Sequence, residues 1–354
     1  MKAHVKVRSR WFLASCIVAA AATVLAGCSS SGNGGSSSGG KTTMSLKIGQ
    51  ISNSVAFFPI FVARQEGYFT DEGLSVNSPT LLGTGAKLAA ALVSGSIDVG
   101  GGVMTDAFNI ANANQKAKVI SNLVNAYYVD IIVGKNVPTP GPGASLTDKI
   151  KALKGKTIGI TGPGSGTSAL VAYLFKQAGM DPAKDATLVN LGAQATAVLG
   201  ALKTGRVDAL SFFQPIGQEA EAQNIGSIYI SPARGDIPAM ANETHGVVMA
   251  SDSALANKKK AVTAFIKGIA RAEQTIHGDP TAVGKLLSQY ETNLDAATVK
   301  AMVPVLQKEI PTTPAVSQQS YQVAVDFHKT AGLVPNPPSY DSLVDASLIS
   351  AATG

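Results

Sequence analysis

From Met44 onward, short apolar runs alternate with glycine-rich turns and helix-compatible stretches, the pattern of strands feeding helices. The stretch 155–178, GKTIGITGPGSGTSALVAYLFKQA, shows the unit most fully. Thr157–Thr161 reads as a buried strand, and Gly162, Pro163, Gly164 and Gly166 as a turn. Thr167–Gln177 reads as a helix closed by Gly179. Such a turn leaves backbone N–H groups and the positive end of a helix dipole facing open space, a cradle for an anion or a polar group. Ser165, Thr167 and Ser168 add hydroxyls that can cap the helix or reach a ligand. The turn lacks the lysine of a phosphate-binding Gly-x-x-x-x-Gly-Lys loop, and Ala169 breaks the dinucleotide spacing.

The chain makes this unit twice. Ile48-Gly49 is echoed by Ile158-Gly159, and ALVSGSIDVG from Ala91 by ALKTGRVDAL from Ala201. Leu82-Gly83 likewise matches Leu191-Gly192, so the three landmarks repeat at offsets of 110, 110 and 109 residues. Two copies at so long a period do not make a solenoid. They predict two similar α/β lobes. Ligands of open α/β sheets sit beyond the carboxyl ends of the strands, so facing lobes would bring both glycine turns to one cleft.

The first lobe reads as a strand at Leu46–Ile51, a helix from Pro59 to Gln65, a strand at Leu74–Val76 and a helix over 86–93. Asp98–Val99 is expected to end a strand at Gly100-Gly101-Gly102, with a helix starting at Met104, Thr105 and Asp106. Thr84 and Thr105 are candidate helix caps. Val119–Val124 is a further strand. Tyr127, Tyr128 and Val129–Val133 look like a strand leaving this lobe, and His245–Ala250 like one returning to it. Thr263–Ala272 and most of the chain beyond Ala296 read as helices, broken at Pro304, Pro311 and Pro314. Lys258-Lys259-Lys260 reads as a solvated helix start.

The N-terminus changes the charge picture. Lys2, Lys6, Arg8 and Arg10 precede an apolar run from Trp11 to Leu25, followed by Leu25-Ala26-Gly27-Cys28. This resembles a bacterial lipoprotein signal, with cleavage before Cys28 and lipid added to it; a plain secretory signal or an uncleaved anchor are the alternatives. Losing those four basic residues leaves 25 Lys+Arg of the 29 against 23 Asp+Glu, so the net +6 falls to about +2. Support for nucleic-acid binding goes with them. Cys16 lies in the apolar run and Cys28 would be acylated, so the mature chain would carry no thiol for catalysis or metal binding. His245, His277 and His328 show no paired spacing. Neither metal nor cofactor is expected. Residues 29–43 are a Ser/Gly tether with a mean reach of ~20 Å. The organisation expected is therefore signal 1–27, tether 28–43, first lobe 44–130, second lobe 131–247, and a return to the first lobe with C-terminal helices over 248–354.

Several residue patterns resemble the type II solute-binding proteins of ABC importers, in the nitrate/sulfonate/taurine branch that includes thiamine-pyrimidine binders. They are Phe58-Pro59…Ala63…Gly67-Tyr68-Phe69…Glu72-Gly73-Leu74; Ala91-Leu92…Ser94-Gly95…Ile97-Asp98-Val99-Gly100; Leu153-Lys154-Gly155-Lys156…Ile158-Gly159; and Gly205-Arg206-Val207-Asp208-Ala209, with Ala331-Gly332-Leu333 and Tyr340 near the end. The resemblance spans roughly 45–345. It implies an α/β, two-lobed type II periplasmic-binding-protein fold, a solute in the cleft, and delivery to a membrane permease and its ATPase; with the N-terminal signal, a lipid-anchored monomer is expected. It places ligand contacts at Ser52, Asn53 and Ser54, at Thr84-Gly85, at Met104-Thr105, at Tyr127 and at Ser165, Gly166, Thr167 and Ser168. Phe58, Gln194, Phe213 and Gln214 complete the candidate set; many relatives carry an acidic residue where Gln214 stands. Asp106 near the cleft argues against a strongly anionic solute. An enzyme of the same fold, like the thiamine-pyrimidine synthases with their cysteine-rich iron site, and a sensory lipoprotein are the competing expectations.

Overall fold

The computed structural model describes residues 43–141 and 143–354; the signal, Cys28 and all of the tether before Thr43 lie outside the described residues. The strands, in chain order, are β1 (Met44–Leu46), β2 (Ile48–Gln50), β3 (Leu74–Val76), β4 (Thr80–Leu81), β5 (Val99–Val103), β6 (Ala117–Val124), β7 (Val129–Gly134), β8 (Thr157–Ile160), β9 (Thr187–Asn190), β10 (Ala209–Phe213), β11 (Gly226–Ile230) and β12 (Gly246–Ser251). They form two five-stranded sheets, β4-β2-β5-β12-β6 and β11-β7-β10-β8-β9, beside a small β1-β3 pair. In the first sheet β2 runs parallel to β4 and β5, and β12 antiparallel to β5 and β6. In the second, β8 runs parallel to β9 and β10, and β7 antiparallel to β10 and β11. The chain crosses between the sheets at 125–128 and again at 231–245.

The internal echo is physical. Asp98 accepts the Lys47 N–H at 2.8 Å, and Asp208 accepts the Thr157 N–H at 2.8 Å, each tying the start of a strand to its neighbour. Ile48 pairs with Val99 and Ile158 with Ala209. Gly49 and Gly159 are required by close packing: a Cβ would lie 2.9 Å from Ile97 and Leu82 in one sheet, and 2.5 Å from Leu191 in the other. The halves therefore share strand order and side-chain seating.

Four local expectations give way to the structure. Gly100, Gly101 and Gly102 do not end a strand; they lie inside β5, all three buried. Leu88, Phe57 and Met249 press on this strand so closely that a Cβ would sit 2.4–2.7 Å from them. Pro304 does not break its helix but lies within Ala296–Glu309. Thr105 caps nothing: Val103 is the cap residue, and the buried Thr105 hydroxyl bonds His328 Nε2 at 2.7 Å. Lys258 is not merely solvated; it pairs with Asp98 at 2.9 Å.

The first sheet is covered by the long helix Lys259–Ile276, whose apolar stripe of Val262, Phe265, Ile266 and Ile269 is fully buried. Gly268 allows Phe69 to stack on Phe265, with ring centroids 4.9 Å apart. Phe58 belongs to the same core. It is fully buried against Phe61 and Tyr290, at 6.3 and 5.8 Å between centroids. The space left between the sheets is the feature that matters for function.

Candidate functional site

A cavity of about 470 Å³ lies between the two sheets. From the first sheet it takes the turn after β2 (Ile51, Ser52), the turn Gly83-Thr84-Gly85, and one face of the helix Met104–Asn112. From the second it takes the turn 161–167, Asn190 at the end of β9, and Phe213 at the end of β10. Tyr128 and His245 close it at the two crossings. These are the carboxyl ends of β2, β5, β8, β9 and β10, where the fold class predicts a ligand.

Two helix N-termini face the space. Thr84 caps the helix Gly85–Ser94 by accepting the Lys87 N–H at 3.3 Å; Ser165 caps the helix Gly166–Gln177 by accepting the Ser168 N–H at 3.2 Å. Gly83 and Gly164 stand at φ +81° and +72°, a conformation that glycine adopts without strain. The Thr167 hydroxyl holds the second turn together, accepting the Thr161 N–H at 2.9 Å and bonding the Ser165 hydroxyl at 2.7 Å. Across the gap, Asn109 Nδ2 donates to the Gly164 carbonyl at 3.2 Å, so the rim is bridged directly.

The charge in the cavity is unusual. Asp106 is 5% exposed, accepts the Val103 N–H at 3.0 Å through Oδ2, and is pushed up to about 6 by burial. Its Oδ1 packs on Gly85, leaving no room there for a Cβ. His245 is fully buried, with neither ring nitrogen hydrogen-bonded among the described residues, and burial holds its pKa well below the usual value. Its Nδ1 lies 3.5 Å from Glu243, also fully buried and pushed well up by burial, so burial disfavours the charged form of both partners. Tyr127 packs on this imidazole at 4.0 Å and donates to the Gly166 carbonyl.

These shifts set the acid dependence of stability. Burial raises Asp106 to about 6, Asp130 and Glu309 to about 7, and Glu291 to about 8. Raised carboxyls hold protons in the folded state that the unfolded chain has released. Their contribution is thus complete below the unfolded values and is lost as pH rises through the folded ones. His245 and His328, the latter held at about 4, are depressed and act oppositely, but only below an unfolded value of about 6.5. The ligand-free protein is expected to gain stability from pH 8 down to pH 6.5. One net proton contributes ~1.4 kcal/mol per pH unit, or ~2–4 °C in Tm. A Tm that is flat or falls over that interval in calorimetric scans would contradict the burial of these groups.

The sequence matches the model of the NMT1-like family over residues 39–288, most of the chain. The chain belongs to the NMT1-like family. It is 20% identical over 324 residues to YtlA of Bacillus subtilis, named a binding protein, covering 88% of this chain and 91% of that one. A Brachyspira hyodysenteriae protein, named an ABC transporter periplasmic binding protein, is 26% identical over 291 residues, with 76% and 79% covered. Among solved structures, the alkanesulfonate-binding protein SsuA of Xanthomonas axonopodis, bound to MOPS, superposes with a TM-score of 0.65 at 20% identity, over 87% of this chain and 97% of that one. The two-lobed periplasmic-binding-protein fold is thereby shared.

In this NMT1-like protein Ser52, Thr84, Gly85, Ser165, Gly166, Thr167 and Phe213 meet on the cavity wall. The other candidates lie elsewhere. Phe58 and Met104 are core residues, fully buried. Asn53 accepts from Gln50 at 3.1 Å, Ser54 faces the Tyr128 hydroxyl at 3.4 Å, and Thr105 is held by His328. Tyr127 stands behind the wall rather than in it. The Ser168 hydroxyl turns back to the Ser165 carbonyl at 2.9 Å, and Gln194 is exposed at the start of the helix Ala195–Lys203. Gln214 donates to Glu309 at 3.2 Å and lines a second cavity of about 400 Å³. Polar wall residues outside the candidate set include Asn109, Gln115, Tyr128, Asn190 and His245. Asn109 was within reach of pattern reading, since Asp106, Asn109, Ile110 and Ala113 share one helical face. Asn190 follows from its place at the carboxyl end of β9. Nothing local to His245 marks it.

Proposed function

We propose that this chain is the solute-binding component of an ABC import system, capturing a small organic solute between its two sheets and delivering it to a membrane permease and its ATPase. The observation carrying the proposal is the 470 Å³ cavity walled by the glycine turns of both halves. Its size suits a small molecule, and a solute touching both walls favours the closed arrangement by its differential affinity for that state. The relatives named as binding proteins support a binding role over catalysis. The leader sequence supports an extracytoplasmic location, with the protein held to the membrane as a monomer by lipid on Cys28 and by no spanning helix of the described residues.

A thermal-shift screen across sulfonates, carboxylates, nitrate, amines and pyrimidines tests the reading. A cleft binder at a hundredfold excess over Kd gains ~2.7 kcal/mol. Absence of a shift with every class, under conditions where the protein melts cooperatively, counts against solute capture. The Asn109 bridge gives a second expectation. Asn109→Ala removes the 3.2 Å contact across the rim, so the ligand-free variant should populate the open arrangement more than wild type. Small-angle scattering should then show a larger radius of gyration for the variant, with the two converging once solute is bound. Identical ligand-free profiles would show that the bridge does not hold the halves together.

A further inference from the structure

Asp106 is the one ionisable carboxylate on the cavity wall, and no Lys or Arg lines the cavity among the described residues. Its position is specific. The carboxylate sits against Gly85, the first residue of the helix Gly85–Ser94, and also closes the start of its own helix through the Val103 N–H. The place on the first half where a helix N-terminus would attract an external anion is therefore already filled by the protein's own negative charge. Oδ2 is engaged by Val103, while Oδ1 accepts no hydrogen bond among the described residues. The other titratable wall group that could have served an anion, His245, is kept neutral by burial and has both nitrogens unpartnered. Ile51, Ala89 and Ile110 are the larger apolar contacts on that half, and Phe213 faces them from the second half.

We infer that the solute presents an amino- or amidine-type N–H donor to Asp106, and is not a sulfonate or nitrate anion. The inference rests on the cleft being the solute site. An N–H donor supplies Oδ1 with its missing partner and gains the extra strength of a charge-assisted bond. An anion within a few ångströms of Asp106 is repelled, and no cationic side chain among the described residues lines the cavity to offset it. The second helix N-terminus, at Gly166, remains free for a carbonyl or ring nitrogen on the far side of the same molecule.

Three probes of one ring and three charges separate these outcomes: benzamidine, benzamide and benzenesulfonate, titrated calorimetrically into the purified protein and into Asp106→Asn. Affinity should fall in that order, with benzamidine bound about tenfold or more tighter than benzenesulfonate. Asp106→Asn should bring the two to within about threefold, since its amide keeps the size but not the charge. Tightest binding of benzenesulfonate, or a preference unchanged in Asp106→Asn, overturns the inference while leaving solute capture standing. No heat from any of the three at millimolar concentration overturns it as well; solute capture is then judged by the open screen above. If Asp106→Asn fails to fold, the order of affinities in the wild-type protein still decides.

Discussion

Phe58→Ala is expected to lower the unfolding free energy by about 3–5 kcal/mol while leaving the solute affinity of the folded protein unchanged. The ring is fully buried between Phe61 and Tyr290, and none of its atoms reaches the cavity wall. Truncation leaves a hole that the helix Phe58–Gln65 and the Tyr290 ring cannot refill without shifting together. Because a domain's whole margin is commonly ~5–15 kcal/mol, the variant should melt far below wild type. Urea denaturation gives the first quantity and calorimetric titration at low temperature the second. A variant of near-normal stability with weakened binding would place Phe58 in the solute site after all.

Gly101→Val should be as damaging for the opposite reason. Gly101 pairs with Gln50 of β2 on one side and Val248 of β12 on the other, so the strand cannot move aside. A Cβ there meets Phe57 at 2.7 Å, and valine adds two further methyls against the same ring and Ile60. Overpacking of this kind ordinarily costs ~1–3 kcal/mol, and with the central strand fixed on both edges the upper end or beyond is expected. Expression should shift to the insoluble fraction, and any soluble protein should unfold at lower urea than wild type. Unchanged stability would mean that β5 is not the tightly covered strand described above.

Both effects bear on what the sequence could disclose. The duplication was legible because it is written in small residues and aspartates at fixed spacing. Asp98 and Asp208 each receive the N–H of a residue 51 positions earlier, and the seats of Gly49 and Gly159 are equivalent. Helix starts were legible for the same local reason, since Thr84 and Ser165 cap within three residues of themselves. The Gly100-Gly101-Gly102 run was not, because glycine signals a turn unless one knows what presses on it. Here Leu88, Phe57 and Met249 do so from distant segments. The same limit governs the cavity. Asn109, Asn190 and His245 come from a helix face, a strand end and a crossing, and only the fold brings them together. The resemblance assigns Thr105 and Tyr127 to the solute, yet each spends its hydroxyl inside the protein, on His328 and on Gly166.

Hydrogen–deuterium exchange, with and without the compound giving the largest thermal shift, tests the central claim most directly. Capture between the halves requires slower exchange in two segments at once, 83–88 on the first half and 161–169 on the second, at equal ligand occupancy. Protection confined to one of them, or centred on 214–222 and 297–309 around the second cavity, would contradict it.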